Sequence, residues 1–433
     1  MIRAMLDYYS TRDPNKQGYS FKEALLQGLA PDGGLFVPRL IPKLPKTWQA
    51  APDIASLGFE VFKTWLGEEI PEEKLKAILS DALNFPVLLK TLQDDIYVLE
   101  LFHGPTLSFK DFGARTMARL MSHFLAEEGR KVTILVATSG DTGSAVADGF
   151  AGQEAINVVL LYPKGMVSEV QERQLILKRP GVRALAVRGS FDDCQKLVKS
   201  AFVAEDLADI PLSSANSINI GRLLPQMLYY LWAVKDLAAR GVERANICVP
   251  SGNLGNFTAG YLAWEMGLEL GTFLIAHNAN RFFPDYLKDK RQAYAFEATI
   301  PTLSNAMDVG APSNFERLHH LFGDRLKEQL WSLSIDDAST KARILSTYQQ
   351  EAYTICPHTA VGLEAIKHYR NESSDKRPSI SLATAHPAKF PSALEALGIA
   401  SPKDASLEKL FSAELAVTEI SPELTALTEI LKS

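Results

Sequence analysis

The chain has 433 residues, 46% of them hydrophobic, and a formal charge of −6 at pH 7, enough to bury a large core divided over two or three domains. No basic block or Arg/Lys stripe argues for nucleic acid, and no uncharged apolar run is long enough to span a membrane. The first residues lack an apolar core of signal length, so the expectation is a cytoplasmic protein with small-molecule partners. The three cysteines, Cys194, Cys248 and Cys356, are scattered with no C-x-x-C pair and fit reduced thiols, and the eight histidines show no metal-ligand spacing, so no metal site is expected.

Residues 1–88 read as an N-terminal unit with a short helix over 20–29, the turn Pro31-Asp32-Gly33-Gly34, the apolar Leu35-Phe36-Val37 and a second helix over 71–83. From about residue 89 the texture changes to apolar, β-rich runs separated by helical stretches. Strands are expected at 132–137, 157–162, 182–187, 247–250, 272–276 and 379–383. Helices are expected at 144–150, 220–240 with Pro225 in its first turns, 257–266 ended by Gly267, and 360–369. Near-continuous apolar strands alternating with helices predict an α/β protein with parallel sheets covered on both faces. Beyond about residue 400 the chain reads as a polar-faced helical tail.

The stretch Phe102-His103-Gly104-Pro105-Thr106-Leu107-Ser108-Phe109-Lys110-Asp111-Phe112 places one amine at the entrance to a helix whose apolar positions Phe112, Met117, Leu120, Met121 and Phe124 share a face. Ser108 and Asp111 read as a capping box. Held between Phe109 and Phe112, Lys110 would be partly desolvated, which disfavours the ammonium form and leaves an amine able to attack an aldehyde. The competing reading is an ordinary snorkelling lysine paired with Asp111.

Four loops fall at the carboxyl ends of strands, where α/β sheets bind ligands. Thr138-Ser139-Gly140-Asp141-Thr142-Gly143 reads equally as a carboxylate or phosphate cradle and as a capped helix start. Ser251-Gly252-Asn253-Leu254-Gly255-Asn256 lacks the lysine of a nucleoside-triphosphate loop and suits a single phosphate. Asn216-Ser217-Ile218-Asn219-Ile220-Gly221-Arg222 offers a guanidinium fork for an anion, or only a solvated helix start. Thr384-Ala385-His386-Pro387-Ala388-Lys389 ends a strand in a hydroxyl and a histidine.

Together with Tyr9-Ser10-Thr11-Arg12, Gly28-Leu29-Ala30-Pro31-Asp32-Gly33-Gly34-Leu35 and the Lys110 stretch, these loops resemble the threonine synthases, pyridoxal-phosphate enzymes of the tryptophan-synthase-β-like fold. The match runs through most of the chain. Leu254 stands where an aromatic is expected, and Cys356 stands before Pro357-His358-Thr359 where an acidic residue is common. The resemblance implies two doubly wound α/β sheet domains with an additional N-terminal unit: residues 1–88 as that unit, 89–131 and 236–400 as a large cofactor domain, 132–235 as a smaller one, and 401–433 as the tail.

The resemblance further implies that Lys110 carries pyridoxal 5'-phosphate as a Schiff base, and that Gly252, Asn253, Leu254, Gly255 and Asn256 wrap its phosphate. Asp141 would lie near the ring hydroxyl and Thr384 would face the ring nitrogen. Ser139, Gly140 and Thr142 would hold the substrate carboxylate and Asn216 and Arg222 the substrate phosphate. The implied reaction converts O-phospho-L-homoserine and water into L-threonine and phosphate in a monomeric enzyme. Its rivals are a related dehydratase or phospho-lyase that releases a 2-oxo acid and a non-catalytic α/β binding protein.

Overall fold

The computed structural model describes residues 7–138 and 140–433. Thirteen strands run in chain order: β1 Tyr8–Ser10, β2 Phe36–Pro38, β3 Leu88–Thr91, β4 Ile96–Glu100, β5 Val132–Ala137, β6 Ile156–Pro163, β7 Val182–Val187, β8 Leu212–Ser213, β9 Asn246–Pro250, β10 Phe273–His277, β11 Leu330–Ser334, β12 Ser379–Ala383 and β13 Thr418–Ile420. They form a small antiparallel pair, β1 with β2, and two larger sheets. One has six strands in the order β11-β10-β9-β12-β4-β3 and is parallel except for the β3–β4 hairpin; the other has five, β13-β7-β6-β5-β8, all parallel.

The buried strands are those whose sequences are mostly apolar. β9, β10 and β12 are buried at every position because helices cover both faces. The N-terminal helix Phe21–Gln27 starts with a capping box, Ser20 accepting from the Glu23 N–H while Glu23 accepts from the Ser20 N–H. The Gly255–Glu265 helix ends just before Gly267, as expected.

Three local expectations are corrected. The helix over 220–240 is broken into Ile220–Leu223, a 3-10 turn Leu224–Gln226 and Met227–Ala239, because Pro225 has no N–H to donate; the Gln226 side chain donates instead to the Arg222 carbonyl at 2.6 Å. The tail beyond residue 400 is not wholly helical, since β13 pairs with β7 and extends the five-stranded sheet. Ser108 and Asp111 form no capping box: the Lys110–Glu128 helix is entered through Phe109 with no side-chain cap, and Asp111 turns back to accept from the Thr106 N–H and hydroxyl.

Candidate active site

Loops leaving the carboxyl ends of β4, β5, β8, β9 and β12 come together: Lys389 after β12 pairs with Asp141 after β5, and Asp141, Arg222 and Lys389 all act on the charge of Lys110. Backbone bonds stitch the β4 and β12 loops together. Leu101 N–H donates to the Ala383 carbonyl at 3.0 Å, Phe109 N–H to the Thr384 carbonyl at 2.9 Å, and His386 N–H to the Leu107 carbonyl at 3.0 Å. Thr384 therefore sits one hydrogen bond away from the residue preceding Lys110. The β8 and β9 loops are joined by side chains, Asn253 Nδ2 donating to Ser217 Oγ at 2.6 Å.

Lys110 opens its helix with Nζ 5.9 Å from the Phe109 ring centroid. Phe112 is not its second wall. That ring is buried against Phe85 and Tyr229, with centroids at 4.8 and 5.2 Å, because a residue two positions further along a helix points about 200° away. Asp111 is not its partner either, being committed to Thr106. Burial, reinforced by the Arg222 and Lys389 cations and opposed by Asp141, brings the Lys110 amine down to about 8.

Asp141 heads the Asp141–Phe150 helix, accepts from Gln171 Nε2 at 3.2 Å, and pairs with Lys389 Nζ at 2.7 Å. Burial works against its ionisation, but the Lys389 and Lys110 ammonium groups outweigh it and hold the carboxyl well below its usual range. Gly140 has φ +143°, and a Cβ there would lie 2.6 Å from Gln171 Nε2, so the loop requires glycine. The Gly140 and Gly143 N–H groups both donate to Thr138 Oγ1, at 3.1 and 2.8 Å. Gly140 thus shapes the loop rather than offering its own amide, while Thr142 is half-buried at the helix start. Ser139 lies outside the described residues.

At the β9 loop, Leu254 adopts φ +61° so that the Gly255–Glu265 helix can begin immediately. A Cβ on Gly252 would stand 2.8 Å from Met307 Cα and 3.0 Å from its carbonyl oxygen. Asn253 spends its side chain on Ser217 and on the Ser313 N–H, leaving only its backbone for a ligand. Asn256 Oδ1 accepts from Tyr229 and Tyr230, both at 2.6 Å, while its Nδ2, like the nearby Ser251 Oγ, is buried without a hydrogen-bond partner among the described residues. A helix N-terminus with such unused polar atoms fits a phosphate.

Arg222 is 2% exposed with no carboxylate partner among the described residues. Its Nη1 donates to the Ala215 carbonyl at 2.5 Å and its Nε has no partner; burial lowers it to about 10, partly countered by Asp111. A buried guanidinium of this kind calls for an anion. Asn216 lies half-buried in the same loop. Asn219 is structural, capping the next turn through the Gly221 N–H and donating to the Leu25 and Ser214 carbonyls.

Two residues of the site escape a reading of the sequence. Lys389 is fully buried, and its chain stem gave no sign of this in a polar-looking loop. His358 is buried against Phe390; Ala306 N–H donates to its Nε2 at 3.1 Å, so the ring proton is on Nδ1, which has no partner among the described residues. Burial takes this imidazole down to about 4 and keeps it neutral. An amine held near neutrality, a phosphate-sized cradle and a strand-end hydroxyl at Thr384 together form a donor set that fits pyridoxal phosphate.

Comparison with known proteins agrees. The family model described as pyridoxal-phosphate dependent enzyme matches residues 81–384, that for the threonine synthase N terminus matches 7–83, and that for the threonine synthase C-terminal region matches 359–431. Threonine synthase of Haemophilus influenzae is 40% identical over 413 residues, covering 93% of this chain and 94% of that protein. The chain belongs to the threonine synthase family. Among solved structures, the pyridoxal-phosphate-bound threonine synthase from Brucella melitensis superposes with a TM-score of 0.91 at 34% identity, covering 99% of both chains. Threonine synthase from Escherichia coli gives 0.89 at 38%, covering 98% of this chain and 99% of the other. The fold of this threonine synthase family member is therefore the α/β arrangement expected, N-terminal unit included. Among the described residues no helix is long and apolar enough to cross a membrane.

Proposed function

We propose that the protein is a pyridoxal-phosphate-dependent lyase that converts O-phospho-L-homoserine and water into L-threonine and inorganic phosphate. The observation that carries this is the pairing of an amine depressed to about 8, Lys110, with a buried guanidinium that lacks a carboxylate among the described residues, Arg222, in a chain of this family. When bound, pyridoxal phosphate supplies an aldehyde that takes up an amine and a ring that accepts the electron pair left when a proton departs from carbon.

The chain's own residues do the rest. Lys110 would hold the cofactor through its Nζ, and its freed amine would accept the proton from the substrate α carbon. Gly252, Leu254 and Gly255 receive the cofactor phosphate through backbone, with Asn256 Nδ2 and Ser251 Oγ beside them. Asn253 acts by holding the loop to Ser217. Thr384 would hold the ring nitrogen through its hydroxyl and favour its unprotonated form, and Asp141 would hold the ring hydroxyl. Ser139 and Thr142 take the substrate carboxylate, with Gly140 shaping the loop between them. Arg222 and Asn216 clamp the substrate phosphate, orient the γ carbon–oxygen bond for cleavage, and stabilise the departing dianion. The β carbon gives up a proton as phosphate leaves the γ carbon, and the γ carbon takes up a proton to become the methyl group. Water then adds its hydroxyl at the β carbon and its proton at the α carbon.

This reading carries with it the domain borders at about residues 88, 131, 235 and 400, and a monomer working in the cytoplasm. The cytoplasmic part is supported by Cys194, Cys248 and Cys356 being buried and unbridged. The test is to saturate the protein with pyridoxal phosphate, add O-phospho-L-homoserine, and quantify threonine and phosphate in one sample. Equal yields are expected; phosphate accompanied by 2-oxobutyrate without threonine would assign the protein to the dehydratases or phospho-lyases.

A further inference from the structure

The site contains two lysines, Lys110 half-buried and Lys389 fully buried, and Asp141 interacts with both. Asp141 contacts Lys389, not Lys110: the Asp141 Oδ1 to Lys389 Nζ distance is 2.7 Å, with the two side chains 3% and 0% exposed. Lys389 is held in place from the far side by the Thr106 carbonyl, which accepts from its Nζ at 2.9 Å and also from Gln174 Nε2 at 3.3 Å. Asp141 is held in turn by Gln171. The pair joins the loop after β12 to the helix after β5, so each large sheet contributes one member.

We propose that Lys389 is a positioning residue that claims Asp141 and so keeps the Lys110 amine free to react. The inference rests on Lys110 being the reactive lysine. Four groups face Lys110 electrostatically: Asp141 from the Asp141–Phe150 helix, Arg222 from the Ile220–Leu223 turn, Lys389 from the β12 loop, and His358 from the Pro357–Ser373 helix. His358 is neutral and contributes no charge through the working pH range. Arg222 and Lys389 repel an ammonium at Lys110, and Asp141 attracts one. If the charge on Lys389 is removed, both consequences have the same sign. One repelling cation disappears, and Asp141 is released to act as counterion to Lys110, which would trap it as an ammonium unable to attack an aldehyde.

The experiment uses full-length protein stripped of cofactor and remixed with pyridoxal phosphate, the visible absorbance of the adduct being followed as a function of pH. The wild-type rate should turn over near pH 8, the value set by Lys110. In Lys389→Gln, which keeps a hydrogen-bond donor for the Thr106 carbonyl but loses the charge, the turnover should move up by about one pH unit or more. Adding Asp141→Asn to that variant should bring it back down. An unmoved turnover in Lys389→Gln means that Lys389 only packs, and overturns the proposal. Lys110→Ala is the control for the underlying site: if it still forms the adduct, the reactive lysine is misassigned and the proposal falls with it, a result distinct from an unmoved turnover. Should Lys389→Gln not fold, trace acetylation of the wild type with acetic anhydride decides. Lys110 should label with a half-point near pH 8 while Lys389, fully buried and paired with Asp141, stays unlabelled; equal labelling of the two overturns the proposal.

Discussion

Thr106 donates twice to Asp111, from its N–H to Oδ2 at 2.9 Å and from Oγ1 to Oδ1 at 2.5 Å, closing the turn that delivers Lys110. The carboxyl is pushed up to about 6 by burial despite these bonds. Asp111→Ala leaves the Thr106 N–H and hydroxyl stranded in a buried turn and should cost about 1.5–3 kcal/mol, read as a lower urea midpoint. Asp111→Asn, which retains one acceptor oxygen, should lose less. Equal midpoints for Asp111→Ala and wild type would show that the turn is held elsewhere.

The cradle after β9 depends on the backbone of Met307 passing under Gly252. Gly252→Ala must displace that backbone, since both atoms nearest the new Cβ, at 2.8 and 3.0 Å, are main-chain. Affinity for pyridoxal phosphate, measured by fluorescence titration, should fall by about tenfold or more, on the order of 1.4 kcal/mol. An unchanged affinity would remove this loop from the phosphate site.

Arg222 is buried with no carboxylate to neutralise it among the described residues, an arrangement that a fold tolerates where an anion is to arrive. Arg222→Met should raise KM for the phosphorylated substrate by about 10- to 100-fold, the equivalent of a charge-assisted contact of about 1.5–3 kcal/mol. The visible adduct with pyridoxal phosphate should persist. Unchanged KM would free Arg222 from the substrate site.

Lys110 titrates in the folded protein at about 8 against an ordinary 10.5. Between those values the unfolded chain binds the extra proton, so this group makes stability rise with pH across that window and contributes no slope below it. The cofactor-free wild type should therefore gain stability between about pH 8 and 10.5 relative to Lys110→Met, measured from denaturant midpoints at each pH. A difference between the two that is flat across the window would place the Lys110 ammonium in an ordinary environment.

The α/β class was legible because β5, β6, β7, β9, β10 and β12 are nearly continuous in apolar residues, the mark of strands buried on both faces. β3, β8, β11 and β13 were not, being short or at sheet edges, with residues such as Lys90 and Glu419 facing out. β4 was hidden by its proximity to the Lys110 motif. Lys110 stood out in the sequence, but its supposed neighbours did not survive: Phe112 and Asp111 point away because successive helix positions diverge. Lys389 was illegible as a site residue because nothing local distinguishes a lysine that threads to a carboxylate 248 positions earlier in the chain. His358 carried no signal either, since its tautomer is set by Ala306, a backbone donor in a distant turn.

With Lys110 and the fully buried Lys389 both acting on Asp141, the most direct test of this account is to reduce the pyridoxal-phosphate-bound protein with borohydride, digest it, and locate the phosphopyridoxyl lysine by mass spectrometry. The account predicts modification at Lys110 alone, with Lys389 intact. Modification at Lys389 would contradict it, and with it the roles assigned to Asp141 and Arg222.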